Sequence, residues 1–228
     1  AVVFATYKKQ WLGINGAPSI YNANFHIPLK GGLAFGASAY SRQAGPYNMS
    51  SGKVSAGYLI SIDREHFFRF GMSLGAGNNT LNFNEVEPND ITFSNLTPNS
   101  SFMLGDVGVA YHFGHFNVGV SLPKLFNYEV FTNEDGFQVT PKPQDNILFK
   151  MNYRGHLSDD IAIEPHLLYR YSKFYPSQYE ATVILHLLHI VWVGASYRQD
   201  AGVIGLIGAK LYEKIGIGYS YEYGNPAN

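Results

Sequence analysis

Apolar and polar positions alternate with a period of two along much of this chain. That is the mark of strands, whose successive side chains leave opposite faces, rather than of helices with their 3.6-residue repeat. Over residues 54–62 one face reads Val54, Ala56, Tyr58, Ile60, Ile62 and the other Ser55, Gly57, Leu59, Ser61. Residues 68–77 set Phe68, Phe70, Met72, Leu74 and Ala76 against Arg69, Gly71, Ser73, Gly75 and Gly77. Residues 116–122 set Phe116, Val118, Val120 and Leu122 against Asn117, Gly119 and Ser121. Each strand has one greasy face and one face of small or polar residues. Clusters of Gly, Pro, Asn and Asp divide the chain into roughly thirteen such strands.

In a soluble sandwich or lipocalin-like barrel the greasy face points inward; in a membrane barrel it points to lipid and the polar face lines the lumen. Charge placement separates the two. A strand that shows water its polar face is rich in Lys, Glu, Asp and Arg, whereas here that face is mostly Gly, Ser and Asn. Its few charges are of both signs, namely Arg69, Lys150, Arg154, Glu164, Arg170, Glu180 and Arg198, as expected of a crowded lumen network. The expected fold is therefore an all-β, antiparallel transmembrane barrel forming a single domain over residues 1–228.

The connections alternate in length. Tight turns are expected at 28–32, 63–66, 114, 155–159, 188 and 213, and longer connections at 43–50, 84–102, 124–145, 172–176 and 199–202. Short turns on the periplasmic rim and longer loops outside is the arrangement of outer-membrane barrels. By this count the first strand, 1–12, and the last, 215–223, run in the same direction. Since single-chain bacterial barrels close with an even number of strands, a further strand is expected to complete about fourteen.

Composition sharpens this picture. Only 14% of the 228 residues are charged, against about 25% in ordinary soluble domains, while 15% are aromatic. Apolar stretches such as 184–188, itself broken by His186, and 190–193 fall far short of the roughly 20 residues of a membrane helix. A net charge of −1 argues against nucleic acid as a partner. The absence of cysteine removes disulfides, thiolate metal sites and a cysteine nucleophile.

Little in the sequence points to catalysis or a cofactor, and none is expected. His186 and His189 have a metal-ligand spacing for a helix, but on a strand and turn that spacing places them on opposite faces. His26 and His166 fall on polar faces beside Asn24 and Glu164, where hydrogen-bonded histidines are expected. No Gly-x-Ser-x-Gly occurs, and Gly75-Ala-Gly77 lacks the following helix that a phosphate cradle requires. The acidic residues Glu85, Glu87, Asp90, Glu129, Glu134, Asp135 and Asp145 do not complete a calcium-loop spacing and read as a solvated rim. Asn95 and Asn99 match glycosylation acceptors, a fortuitous match in a bacterial outer membrane. Trp11, Tyr40, Tyr111, Tyr153, Tyr197, Tyr221 and Tyr223 lie near strand ends, where interfacial aromatic girdles form.

Several segments together resemble one family. Gln10-Trp11-Leu-Gly13 followed by Gly16-Ala-Pro18 is similar to the opening of the PorP/SprF family. Trp192-Val-Gly194-Ala-Ser-Tyr197-Arg198 resembles its late strand, Gly218-Tyr219-Ser-Tyr221-Glu222 its penultimate strand, and Gly119 to Leu125 a strand-to-loop segment. The resemblance implies an integral outer-membrane component of the type IX secretion system of bacteria of the Bacteroidetes type. It implies as partners membrane lipid, the periplasmic lipoprotein ring of that machine and secreted adhesins used in gliding. It supplies no catalytic residues. The alternative function is a passive diffusion channel, since about fourteen strands enclose a lumen.

Overall fold

In a computed structural model the described residues are 1–14, 16–82, 99–126, 131–132, 138–139, 142–199, 201–212 and 214–223. The alternating segments are strands: β1 (Val2–Lys9), β2 (Ser19–Pro28), β3 (Leu33–Ala44), β4 (Tyr47–Ser61), β5 (His66–Leu81), β6 (Asn99–Phe113) and β7 (Phe116–Pro123). They continue with β8 (Phe131–Thr132), β9 (Gln138–Val139), β10 (Asn146–Tyr153), β11 (Gly155–Ser158) and β12 (Ile161–Ser172). The last four are β13 (Gln178–Leu187), β14 (Val191–Arg198), β15 (Gly202–Leu211) and β16 (Ile215–Tyr223). Among the described residues no helix is long and apolar enough to cross a membrane.

The main sheet has fourteen strands. Thirteen of them follow one another as hydrogen-bonded neighbours in sequence order, with only the short β8–β9 pair set aside, and β11 joins beside β12 as the fourteenth. The expected all-β antiparallel meander is what the structure has. A strand beyond residue 223 lies outside the described residues, as do the acidic residues 85, 87, 90, 129, 134 and 135, the acceptor Asn95 and the turn at 213. Asp145, expected on the same solvated rim, is instead buried at 8% exposure, where its carbonyl accepts the Lys173 N–H at 2.9 Å.

Several expected connections differ: β6 already starts at Asn99, inside the loop expected at 84–102, and the β8–β9 pair lies inside that expected at 124–145. Residues 43–50 were expected to form a longer loop, but β3 and β4 pair up to Ala44 and Tyr47. Gly45, at φ +54°, and Pro46 make the turn between them. Gly45 also donates to the Gly16 carbonyl at 3.0 Å. Residues 155–159, expected as a turn, contain β11, which pairs with β12 through a register shift between His156 and Ser158. A bulge inserts a residue without ending a strand, so polarity alone reads as a turn.

The chain divides into two compact units. The first comprises Ala1–Leu59, Phe70–Val107 and Lys124–Pro143, the second Ile60–Arg69, Gly108–Pro123 and Gln144–Asn228. In each unit the apolar face is the more exposed one. In the first, Val54 and Met72 are each 66% exposed, while Ser55 and Ser73 beside them are partly covered. In the second, Ile207 is 54% and Ile217 61% exposed, whereas Ser196 on the polar face is 3% exposed. Among the described residues Ala162 and Ile204 are the buried aliphatic side chains. Burial of an apolar core, the dominant favourable term in a water-soluble fold, is nearly missing.

Aromatic rings mark strand ends on the apolar face. Phe68 stacks on Tyr111 with centroids 4.6 Å apart, Phe113 on Phe116 at 5.1 Å, and Phe116 meets Tyr153 at 4.6 Å. His66 Nδ1 and the Tyr111 hydroxyl share a 2.6 Å hydrogen bond. This string lies beside the turns after β4, β6 and β10. At the opposite strand ends of the same unit, Tyr179 faces Tyr197 with centroids 6.2 Å apart. Tyr40 departs from the expected girdle. It pairs with Asn22 and shares the polar face with Ser38 and Gly36, because its place in the alternation is even.

The turn between β4 and β5 is closed by Asp63, whose carboxylate accepts the N–H groups of Glu65 and His66 at 2.8 Å each. These donors, Glu65 foremost, hold the Asp63 carboxyl below the usual carboxylate range.

Candidate functional site

The polar face of β12 to β16 gathers charged residues in register. His166, Thr182 and Ser196 lie opposite one another across three strands, as do Ile204 and Glu222 on the next pair. Because side chains two residues apart share a face, Glu164 reaches both His166 on its own strand and His186 diagonally across. His186 Nε2 and Glu164 Oε2 are 2.9 Å apart. His166 Nε2 is 3.2 Å from Glu164 Oε1, but outside hydrogen-bond geometry. It is a buried nitrogen with no hydrogen-bond partner among the described residues. Arg154 approaches Glu164 only to 4.0 Å.

A second cluster adjoins the first on the same strands. Arg198 Nε donates to Glu180 Oε2 at 2.7 Å and its Nη1 lies 3.8 Å from Glu222. Ser196 donates to Glu180 Oε1 at 3.1 Å and shares a 2.6 Å bond with Thr182. Partly covered ion pairs of this kind, with their lone pairs filled by hydroxyls, hold neighbouring strands in one register.

Of the seven charged residues expected to form one network, the structure brings Arg154 to Glu164 and Arg198 to Glu180. Arg69 instead lies over the Phe67 ring, 5.3 Å from its centroid, a cation–π contact. Lys150 and Arg170 make no ion pair with the described residues. His186, Ser196, Thr182 and Glu222 were missing from the expected network, although counting by twos along the strand from Glu180 puts Thr182 and His186 on that face and from Arg198 puts Ser196 there; Glu222 is placed by the register. Also missed was a cluster in the first unit, where Asp106 accepts from Lys53 Nζ at 2.5 Å and Ser73 at 2.7 Å. Among the described residues no group of His, Asp and Glu has the arrangement of a metal site.

The sequence as a whole decides the family. The model of the family described as "Type IX secretion system membrane protein PorP/SprF" matches residues 2–226. The chain belongs to the PorP/SprF family. No curated protein matches the sequence. A solved structure described as "Unveiling the Mechanism Behind the in-meso Crystallization of Membrane Proteins" aligns with 97% of this chain and 81% of its own. Its identity is 9% and its TM-score 0.43, too low to bear on function.

The PorP/SprF motif residues now have physical roles. Trp192 lies opposite Gly208, which lies opposite Gly218. A Cβ on Gly208 would stand 2.0 Å from the Trp192 ring, and one on Gly218 3.2 Å from it. The indole thus covers a glycine row on two neighbouring strands. Gly194 leaves room for the Val183 carbonyl, 2.7 Å from where its Cβ would be. Arg198 carries the ion pairs above, while Tyr197, Tyr219 and Tyr221 stand exposed on the apolar face. In the opening motif the Gln10 N–H donates to the Pro18 carbonyl at 2.9 Å. Gly13 and Gly16 take φ of +92° and +73° in the connection so closed, and Trp11 projects from it, exposed.

Proposed function

We propose that this PorP/SprF protein is an integral component of the bacterial outer membrane that serves type IX secretion by binding and positioning, not by catalysis. The observation that carries the reading is the exposed apolar face. Large side chains such as Met72, Ile207 and Ile217 stand open on it, while the face behind them holds the polar groups. In water that arrangement forfeits the hydrophobic effect, and in lipid it satisfies it. A sheet spans a bilayer only as a closed barrel, because lipid leaves edge N–H and C=O groups without partners. Strands of 10 to 12 residues, such as β12, β13 and β15, match the roughly 9 to 11 needed for a tilted crossing. The aromatic strings at opposite strand ends suit the two headgroup layers.

On this reading the short-turn rim meets the periplasmic lipoprotein ring of the machine, and the longer connections meet a secreted adhesin used in gliding by Bacteroidetes-type bacteria. Crosslinking in the native envelope followed by purification in detergent tests it. Ring lipoprotein or adhesin is expected with the chain, and recovery of the chain alone would overturn the proposal.

A diffusion channel is the second reading, favoured by the small Gly, Ser and Asn side chains of the polar face. Against it stands the Arg198–Glu180 ion pair, which ties charged side chains to the sheet instead of leaving them to solvate a passing ion. Single-channel recording in a planar bilayer separates the two, since stable open channels belong to the second reading alone.

A further inference from the structure

Within the second unit a cavity of about 310 Å³ opens where three hairpin ends meet on the polar face. Its apolar wall is Ala162, Ile190, Val191 and the Trp192 indole; its polar lining is Arg154, Lys210, His156, His186, His189 and Asp160. His186 and His189 were expected on opposite faces. They share this cavity because Leu188 and His189 both take left-handed conformations, φ 52° and 58°, which turn the chain back over His186.

Backbone bonds hold the rim in place. The Leu188 N–H donates to the Asp160 carbonyl at 2.8 Å, the Lys210 N–H to the Ile190 carbonyl at 2.7 Å, and the Arg154 N–H to the His115 carbonyl at 3.1 Å. Each bond joins one hairpin end to its neighbour, so the cavity exists before any ligand arrives, and ordering costs are small.

The charges in it are unequally matched. Glu164, behind the cavity, is engaged by His186 at 2.9 Å and reached by Arg154 only at 4.0 Å. Lys210, His156 and His189 make no side-chain hydrogen bond or ion pair with the described residues. Among the described residues Asp160 is the one carboxylate in the lining. Arg154, Lys210 and two imidazoles without side-chain partners among the described residues therefore line the cavity beside Asp160, across an apolar floor. A guanidinium and an ammonium beside a low-polarity wall bind a carboxylate by charge-assisted hydrogen bonds, and the indole and aliphatic wall accept the methylenes that carry it.

We propose that this cavity is a docking pocket for a carboxylate on an apolar stem, as an acidic peptide segment of a protein partner presents it. This rests on the reading of the short-turn rim as the side that meets other proteins. The chain has two tryptophans, so Trp11→Phe leaves Trp192, in the cavity wall, as the sole indole reporter. The test titrates the purified full chain carrying that change, in detergent, with acetylated and amidated penta-glutamate.

A saturable shift in Trp192 emission is expected, at least tenfold weaker in affinity with Arg154→Gln or with Lys210→Gln and absent with penta-glutamine. Lys210 is exposed at a strand end, so its variant keeps the test sound should Arg154→Gln misfold. No shift, an equal shift with penta-glutamine, or unchanged affinity in both variants would overturn the proposal. So would displacement of the peptide by an equal concentration of inorganic phosphate, which would mark a phosphate site instead. No other secretion component is present, so a null result here leaves the co-purification test of the membrane role standing.

Discussion

Replacing Ile207 by arginine separates a lipid-facing from a water-facing apolar surface. Ile207 is the sixth residue of ten in β15, is 54% exposed, and lies opposite Val193 and Tyr219 on the flanking strands. If that face meets lipid, the guanidinium sits near mid-depth, where an arginine costs about 2–4 kcal/mol. At about 1.4 kcal/mol per decade, this is a roughly thirty- to several-hundred-fold loss in the folding equilibrium. If the face meets water, an exposed isoleucine exchanged for arginine changes stability by no more than about 0.5 kcal/mol. The two expectations do not overlap. Val203, four residues along the same face and opposite Tyr197 and Tyr223, lies at tyrosine level, where the cost falls to about 0–1 kcal/mol. Reversible guanidinium-driven folding into phospholipid vesicles, followed by tryptophan emission and gel mobility, measures both. A cost below about 0.5 kcal/mol for Ile207→Arg, or an equal cost at Val203, would refute the lipid-facing assignment.

Two further outcomes are expected. Gly208→Val should destabilise by about 1–3 kcal/mol in the same vesicle assay, the usual cost of overpacking, because its Cβ would stand 2.0 Å from the Trp192 ring and 2.7 Å from the Ile217 carbonyl; Trp192→Ala in the same chain should recover part of that loss. Asp63 is held below its ordinary pKa in the folded turn, first by the Glu65 N–H. Its contribution is therefore present above the unfolded value, about 3.9, and lost as pH falls through the lower folded value; Asp63→Ala should flatten the acid limb of a stability–pH profile, and an unchanged limb would show the bond to be without effect.

The strand content was legible because alternation is a local property, as β5 and β7 show, and because thirteen successive strands pair with their sequence neighbours. The turn at Gly45 was not, since Tyr47, Asn48 and Ser50 are polar enough to read as loop until their partners on β3 are known. Glu164, Glu180 and Arg198 were legible as a face. Their partners His186 and Glu222 come from other strands, and only the register says which residues stand opposite. The cavity was hidden for a similar reason. Its lining comes from five strands and their turns, and its shape depends on left-handed residues at Leu188 and His189, the first of a type that rarely takes that conformation.

The order of the sheet bears on how such a molecule is made. With every strand of the meander beside its predecessor, each contact closes a short stretch of chain, and the sheet can grow one hairpin at a time from any starting pair. Between β7 and β10, residues 131–132 and 138–139 form their own small β8–β9 pair off this path. Changes confined to that pair leave the rungs of the main ladder intact, whereas Leu125, whose N–H donates to the Gly105 carbonyl of β6 at 2.7 Å, is bound into it.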